Sequence, residues 1–421
     1  MQTLEETPVR ALPEPKGRPR PWAILASGPF RKLWVASTLS LFGYFFSFIA
    51  MAWLVLQLTG SSLALGTVLV IGSLPRAVLM VVGGAMADRL SPRVTMLASM
   101  ALRTLFVAPF AFLIVTHHAQ LWEAYLVALV MGVGDAFFLP ARTSILPSVV
   151  APTQLEPSNA VLNVSGQGAV VLGPVLAGII VATLGTGWAF AGDALFFAVG
   201  FLFVLSLPSA QRAAAGTAHP AGGVGGQIVA GLRYAWADFG IRFALIVISV
   251  IDFAAQGAIG VGLPTLAHGR YGAGATGLGI LFAAWGVGAT VGALGAGFVP
   301  PPKRMGILIV ALCMWLGLGI IGVGLVPSLF LAAVLMSVTG IGTGVVNTYG
   351  ISWLQRRTDP SMQGRVMSLV MLASQGLTPI GYIASGALAL INPTLLFVIA
   401  GGMMLACGLG AVASPRVRSL G

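Results

Sequence analysis

The chain has 421 residues, 57% hydrophobic and 8% charged, against about 25% charged in soluble domains, which excludes an ordinary soluble fold. A bilayer solvates such side chains directly, but each span must then satisfy its own backbone, so only helices or a closed barrel can cross. The run from Met305 to Val326, without a charged, amide or hydroxyl side chain, lacks the alternation of a barrel strand and selects helices.

In chain order, residues 1–30 open with MQTLEETPVRALPEPKGRPRPW, a polar, Pro-rich stretch without the apolar core of a signal peptide; a cytoplasmic tail is expected. With about 20 apolar residues per crossing, spans are predicted near 33–57, 62–86, 94–116, 121–140, 158–184 and 188–208. They form an N-terminal six-helix bundle over 31–208. Outer turns such as Thr59-Gly60-Ser61 and Gly185-Thr186-Gly187 carry helix breakers. A cytoplasmic linker over 209–240 begins with low-complexity AAAGTAHPAGGVGG. Within it, Gln227 to Phe239 places Ile228, Leu232, Ala235 and Trp236 at helical spacing beside Arg233, predicting a short amphipathic helix on the membrane surface. Spans then follow near 241–266, 276–299, 305–325, 328–353, 366–391 and 393–413, a C-terminal six-helix bundle over 241–413, with a cytoplasmic tail over 414–421.

The expected fold is all-α, twelve transmembrane helices in two pseudo-symmetric bundles. Gly132-Val-Gly134, Arg142 and Pro152 parallel Gly342-Thr-Gly344, Arg357 and Pro360, while Gly173-Pro174 parallels Pro379-Ile-Gly381. The net charge of +11 does not point to nucleic acid, because its placement is one-sided. With the N-terminus inside, nineteen of the 22 Lys and Arg residues fall on cytoplasmic segments, Arg270 falls outside, and Arg76 and Arg103 lie within spans. That asymmetry puts both termini in the cytoplasm.

Ionisable groups inside spans are costly and mark function. Arg76, Arg103, Asp135, Asp193 and Asp252 are such groups; Arg103, ten residues beyond Arg93, lies roughly 15 Å deep. An isolated buried carboxylate can carry a proton, whereas one paired with arginine stays ionised. Asp135 and Asp252 are the proton-coupling candidates, and Asp193 is expected to hydrogen-bond structurally. Arg76 and Arg103 are either partners of these acids or anion sites. Tyr44, Phe48, Asn163, Gln167, Gln256 and Asn347 are candidate cavity-lining residues, apolar walls with few polar anchors suiting amphipathic ligands; the aromatic ones read equally as core or lipid-facing.

No catalytic, metal or cofactor centre is expected. GxxxxGK[ST] and HExxH are absent, and Gly286-Val-Gly288 and Gly340-Ile-Gly342 have no strand before them. His117-His118 falls in an outer turn, and Cys313 and Cys407 read as small packing residues. Transport without a nucleotide site must draw on an ion or substrate gradient.

Three stretches carry a family resemblance. Gly84-Ala-Met-Ala-Asp88-Arg89-Leu-Ser91-Pro92-Arg93 follows span two, with Ser91 and Pro92 suited to cap and start the next helix. Span five contains Gly166-Gln-Gly168 and Gly173-Pro174-Val-Leu-Ala177-Gly178. Gly134-Asp135-Ala-Phe-Phe-Leu-Pro140-Ala141-Arg142 precedes Leu146-Pro147, Asn159-Ala160 and the later Gly364-Arg365-Val366. On these residues the chain resembles the major facilitator superfamily from Phe30 to about Ala413, in its bacterial drug-exporter subgroup of macrolide efflux and siderophore (enterobactin) export proteins. The resemblance implies that Gly84, Asp88, Arg89 and Arg93 form a gating latch, the alternative being a topology-setting turn. It implies that Gly173, Pro174 and Gly178 form a helix-five hinge, the alternative being close packing, and that Asp135 and Asp252 sit on cavity-lining spans. Implied too is a monomeric, proton-coupled antiporter of the bacterial inner membrane, exporting amphipathic small molecules by alternating access. A dedicated siderophore or lysolipid exporter and a non-transporting receptor are the alternatives. The chain departs from the pattern at Ser91, Pro92 and Ala177, and it lacks the acidic residue that relatives often carry near Gly43-Tyr44 in span one.

Overall fold

The computed structural model describes residues 21–89, 91–207 and 224–420; the expectations for residues 1–20 and 208–223 lie outside the described residues. After a short 3-10 turn, α1 (Gly28–Thr59), α2 (Ser62–Arg89), α3 (Pro92–Val115), α4 (Leu121–Val149), α5 (Leu155–Thr183) and α6 (Thr186–Leu205) form the first half. A connecting helix α7 (Val224–Ala237) leads to α8 (Phe239–Gly257), a π turn (Ala258–Gly262) and α9 (Leu263–His268). The second half continues with α10 (Gly274–Phe298), α11 (Met305–Leu325), α12 (Leu329–Arg357), α13 (Gln363–Gln375), α14 (Thr378–Ile391), α15 (Pro393–Val412) and α16 (Pro415–Arg418). Twelve helical stretches among the described residues are long and apolar enough to cross a membrane.

Local chemistry sets the ends. Ser91 accepts from the Val94 N–H and starts α3, with Pro92 in its first turn. Asp238 caps α8 through the Ile241 N–H at 2.9 Å, Ser328 caps α12, and Asn392 caps α15. Each cap accepts from a donor that the first helical turn leaves unpaired.

Three spans differ from expectation. α4 continues past Pro140 and Pro147 to Val149, because each proline removes one donor and Ile145 and Leu146 anchor the extension in the core. Span seven is interrupted by its π turn at Ala-Ile-Gly-Val-Gly, and span eleven divides into α13 and α14 at Gly376-Leu377. Pro379 explains the second break, since its ring excludes the carbonyl one turn earlier and supplies no N–H for it. In α7, Ala235 is buried while Val229, Leu232 and Trp236 are exposed, leaving an apolar face uncovered.

The halves meet along α2 with α14 and α5 with α10. At the ends of the helices remote from the termini they are closed: Ser62 Oγ donates to the Gly386 carbonyl at 3.1 Å, and Thr276 Oγ1 to the Gly178 carbonyl at 3.4 Å. The Phe48 and Phe282 rings meet there at 5.3 Å, and Trp53 and His268 at 5.1 Å. A side chain at Gly178 would put its Cβ 2.6 Å from the Ala275 carbonyl oxygen, so α5 and α10 touch backbone to backbone. Toward the other end, a cavity lies between and within the halves.

Candidate functional site

The cavity holds about 810 Å³. α8 lines it with Ile248, Ile251, Asp252, Ala255 and Gln256, one helical face at spacings of three and four. Tyr44, Phe45 and Phe48 of α1, Arg76 of α2, Asn347 of α12, Ser374 and Gln375 of α13 and Tyr382 of α14 contribute to its polar and aromatic wall, with further aromatic side chains from α10 and α12.

Two lone charges face this space. The Arg76 guanidinium donates to Gln375 Oε1 at 2.6 Å, a bond between the halves, and enters no ion pair among the described residues. Asp252 likewise has no ion-pair partner there; its polar neighbour is the Ser374 hydroxyl. Ser374 and Gln375 are adjacent, at the break in span eleven. The end of α13 therefore bears on the carboxylate of one half and the guanidinium of the other.

The remaining intramembrane charges assemble elsewhere. Arg103, 2% exposed, reaches Asp193 Oδ2 through Nε and Asp135 Oδ1 through a terminal nitrogen, both at 3.2 Å. Its guanidinium carbon stands 4.2 Å from the centre of the Phe197 ring. Ser47 donates to Asp193. One cluster thus ties α1, α3, α4 and α6. Asp135, a proton-coupling candidate for which an arginine partner was one of the expectations, is held in an ion pair with Arg103, and Asp193 accepts from Ser47 and Arg103. A Cβ on Gly43 would strike Asp193 Oδ1 and come within 2.8 Å of the Phe197 ring. Space for a side chain at this point of span one is occupied by the Asp193 carboxylate.

Of the six expected lining residues, Tyr44, Phe48, Gln256 and Asn347 line the cavity. Asn163 is not in that wall: it is exposed on α5, two helical turns before the lining residue Val170. Gln167 also lies off the cavity wall and donates to Thr290 Oγ1 at 3.4 Å across α5 and α10. Ser374, Gln375 and Tyr382 escaped the sequence reading. An amide beside Gly376, ahead of Pro379 in an apolar span, was the signal for the first two.

The side chains of Gly84, Asp88 and Arg89 lie outside the described residues. Arg93 donates to the carbonyls of Val204 at 3.3 Å and Leu205 at 2.6 Å, placing a cation on the C-terminal end of α6. At the proposed hinge, Pro174 sits inside an unbroken α5 and Gly173 lies against the Phe45 side chain. At the cavity's termini-bearing rim, Asp238 pairs with Arg357 at 2.8 Å. Burial acts to raise this carboxyl, but the Arg357 hydrogen bond and the Ile241 N–H outweigh it and hold the group below its ordinary value.

Comparison with known proteins agrees with this architecture. A family model described as transmembrane secretion effector matches residues 19–419. The chain is 28% identical over 409 residues to the multidrug efflux pump Tap of Mycolicibacterium fortuitum, covering 93% of this chain and 97% of that one. It is 26% identical over 295 residues to the enterobactin exporter EntS of Escherichia coli O1:K1 / APEC, covering 69% and 68%. The crystal structure of the nucleoside transporter NupG superposes with a TM-score of 0.71 over 91% of this chain and 98% of that one, at 15% identity, a likeness of fold alone.

Proposed function

Since the chain belongs to the transmembrane secretion effector family of the major facilitator superfamily, we propose that it is a proton-coupled antiporter of the bacterial inner membrane, exporting amphipathic small molecules. The observation that carries this reading is the cavity, with Asp252 in its wall outside any ion pair among the described residues while Asp135 and Asp193 are engaged by Arg103. A carboxylate free to gain and lose a proton beside a large apolar space can exchange proton for substrate; one locked to a guanidinium cannot do so without stranding the cation.

With the termini in the cytoplasm, as the charge asymmetry indicates, the closed ends face outward and the cavity faces inward. Substrate then enters from the cytoplasm or inner leaflet, while Phe48, Phe282 and Tyr382 bound the cavity toward the outer side. Export requires the outer contacts to part and the inner ends to close. The polar and aromatic contacts there are single hydroxyl–carbonyl bonds and ring edges, each worth about 1 kcal/mol, and a rocking step must also part the close backbone packing of α5 on α10. The Arg76–Gln375 bond spans the same interface at mid-depth and sits next to Ser374. Protonation at Asp252 therefore acts on the segment that also holds the other half. The cavity is enclosed by one chain, which supports action as a monomer. Arg76 in the wall favours a second reading, a dedicated exporter of a metabolite bearing an acceptor or acidic group.

The test is purified protein in proteoliposomes with an imposed pH gradient and a panel of macrolides, dyes, siderophores and lysolipids. Accumulation against a concentration gradient, abolished when the pH gradient is collapsed, is the expected result. Gradient-independent movement of every compound would overturn proton coupling.

A further inference from the structure

A second pocket, of about 270 Å³, opens where α12 ends, on the side of the molecule that carries the termini. Pro301, Pro302 and Lys303 of the α10–α11 turn line it from one side, and Arg356 and Arg357 of α12 from the other. Met305 and Trp353, 2% and 5% exposed, line both this pocket and the central cavity.

Three cations converge here beside one carboxylate. Arg357 Nε donates to Asp238 Oδ1 at 2.8 Å, and its guanidinium carbon stands 5.6 Å from the centre of the Trp353 ring. These contacts fix the guanidinium, whose terminal nitrogens make no hydrogen bond among the described residues. Lys303 and Arg356 enter no ion pair among the described residues. As topology signals, Lys and Arg need only lie on one side of the membrane; gathering them around one pocket adds mutual repulsion. Two consecutive prolines restrict the turn that carries Lys303. Just ahead of that turn, Phe298 and Val299 are 87% and 60% exposed. Exposed apolar side chains followed by Lys303-Arg304 mark the level where hydrocarbon gives way to headgroups.

We propose that this pocket binds a phosphate group, with Lys303, Arg356 and Arg357 as its cationic ligands. A guanidinium meets phosphate oxygens with paired donors, and an ammonium supplies a point charge. A phospholipid headgroup of the adjoining leaflet and soluble phosphate share this chemistry. Either one would tie the α10–α11 turn to the end of α12, next to the Asp238 joint with α8. The site stands apart from the export reading, since none of its three cations lines the central cavity.

The experiment uses the full chain in dodecyl maltoside, a detergent without phosphate, at constant ionic strength. Thermal unfolding is followed while dioctanoyl phosphatidylglycerol, inorganic phosphate or uncharged dioctanoylglycerol is titrated, because a ligand of the folded state raises the unfolding temperature. A saturable rise is expected with at least one phosphate probe and none with dioctanoylglycerol. Lys303→Gln/Arg356→Gln should weaken that binding by about tenfold. Arg416→Gln/Arg418→Gln removes the same charge outside the pocket and should leave it within about twofold. Saturation by the lipid alone assigns a headgroup, by inorganic phosphate alone a soluble anion, and by both the phosphate group itself. If the pocket variant does not fold, Lys303→Gln alone carries the comparison. No saturable rise with either phosphate probe would overturn the site, as would binding that the pocket substitutions leave unchanged or that both pairs weaken alike.

Discussion

Asp252 and Asp135 are chemically the same group at comparable depths, and their neighbours give them opposite work. Asp135 faces a guanidinium at 3.2 Å, whereas Asp252 faces a hydroxyl. Asp252→Asn should fold and insert normally, retain downhill movement of substrate, and lose accumulation driven by a pH gradient in proteoliposomes. Full accumulation by this variant would remove Asp252 from the coupling. Arg103→Leu should instead destabilise the first half, since it strands the buried Asp193 carboxylate and the partly buried Asp135 and leaves Ser47 and Phe197 against an unpaired charge. The expected loss is about 3–5 kcal/mol, read as a large drop in thermal unfolding temperature in detergent. An Arg103→Leu variant as stable as wild type would show that the cluster contributes no net stability.

At the scale of elements, the joint between α8 and α12 carries a pH dependence with a definite sign. Asp238 caps α8 and pairs with Arg357 at the end of α12, both about one-third exposed (30% and 31%). Its folded value lies below the ordinary carboxyl value, which is about 3.9 when unfolded. The stability it contributes is therefore complete above about pH 4 and is lost as pH falls through the lowered folded value. Solvent screening at this exposure limits the pair to less than about 1 kcal/mol. Asp238→Asn should accordingly remove a small acid-side slope from thermal stability measured between about pH 2 and 5, leaving the neutral region lowered but flat. The same scale explains the broken spans. Pro379 in span eleven was visible, yet a proline is equally compatible with a kink, a break or an edge. The neighbours of α13 and α14 decide which, and here a break places Ser374 and Gln375 at the cavity.

For the whole molecule the decisive measurement is orientation. The twelve candidate spans among the described residues form an even number, and the Lys and Arg asymmetry predicts both termini on the cytoplasmic side. Single cysteines introduced at Pro220 and Gly421, in a background with Cys313 and Cys407 replaced by Ala, should react with a membrane-impermeant maleimide in inverted vesicles only. Labelling of one site in right-side-out vesicles would refute the even number of spans, and labelling of both would reverse the direction assigned to the cavity. The number and position of the spans were legible in the sequence because a bilayer makes hydropathy a local requirement on each stretch of about 20 residues. The ionisable residues inside those spans were legible for the same reason, each being an expensive exception. Their pairing was not, because it depends on the rotation and separation of helices far apart in the chain. Only the folded bundle brings Arg103 to Asp135 and Asp193 and leaves Arg76 to Gln375. The cavity wall belongs to the same class. Apolar residues such as Leu312 and Val107 obey identical hydropathy rules, and whether they meet a partner helix or an open space is decided by packing between helices, which leaves no local mark.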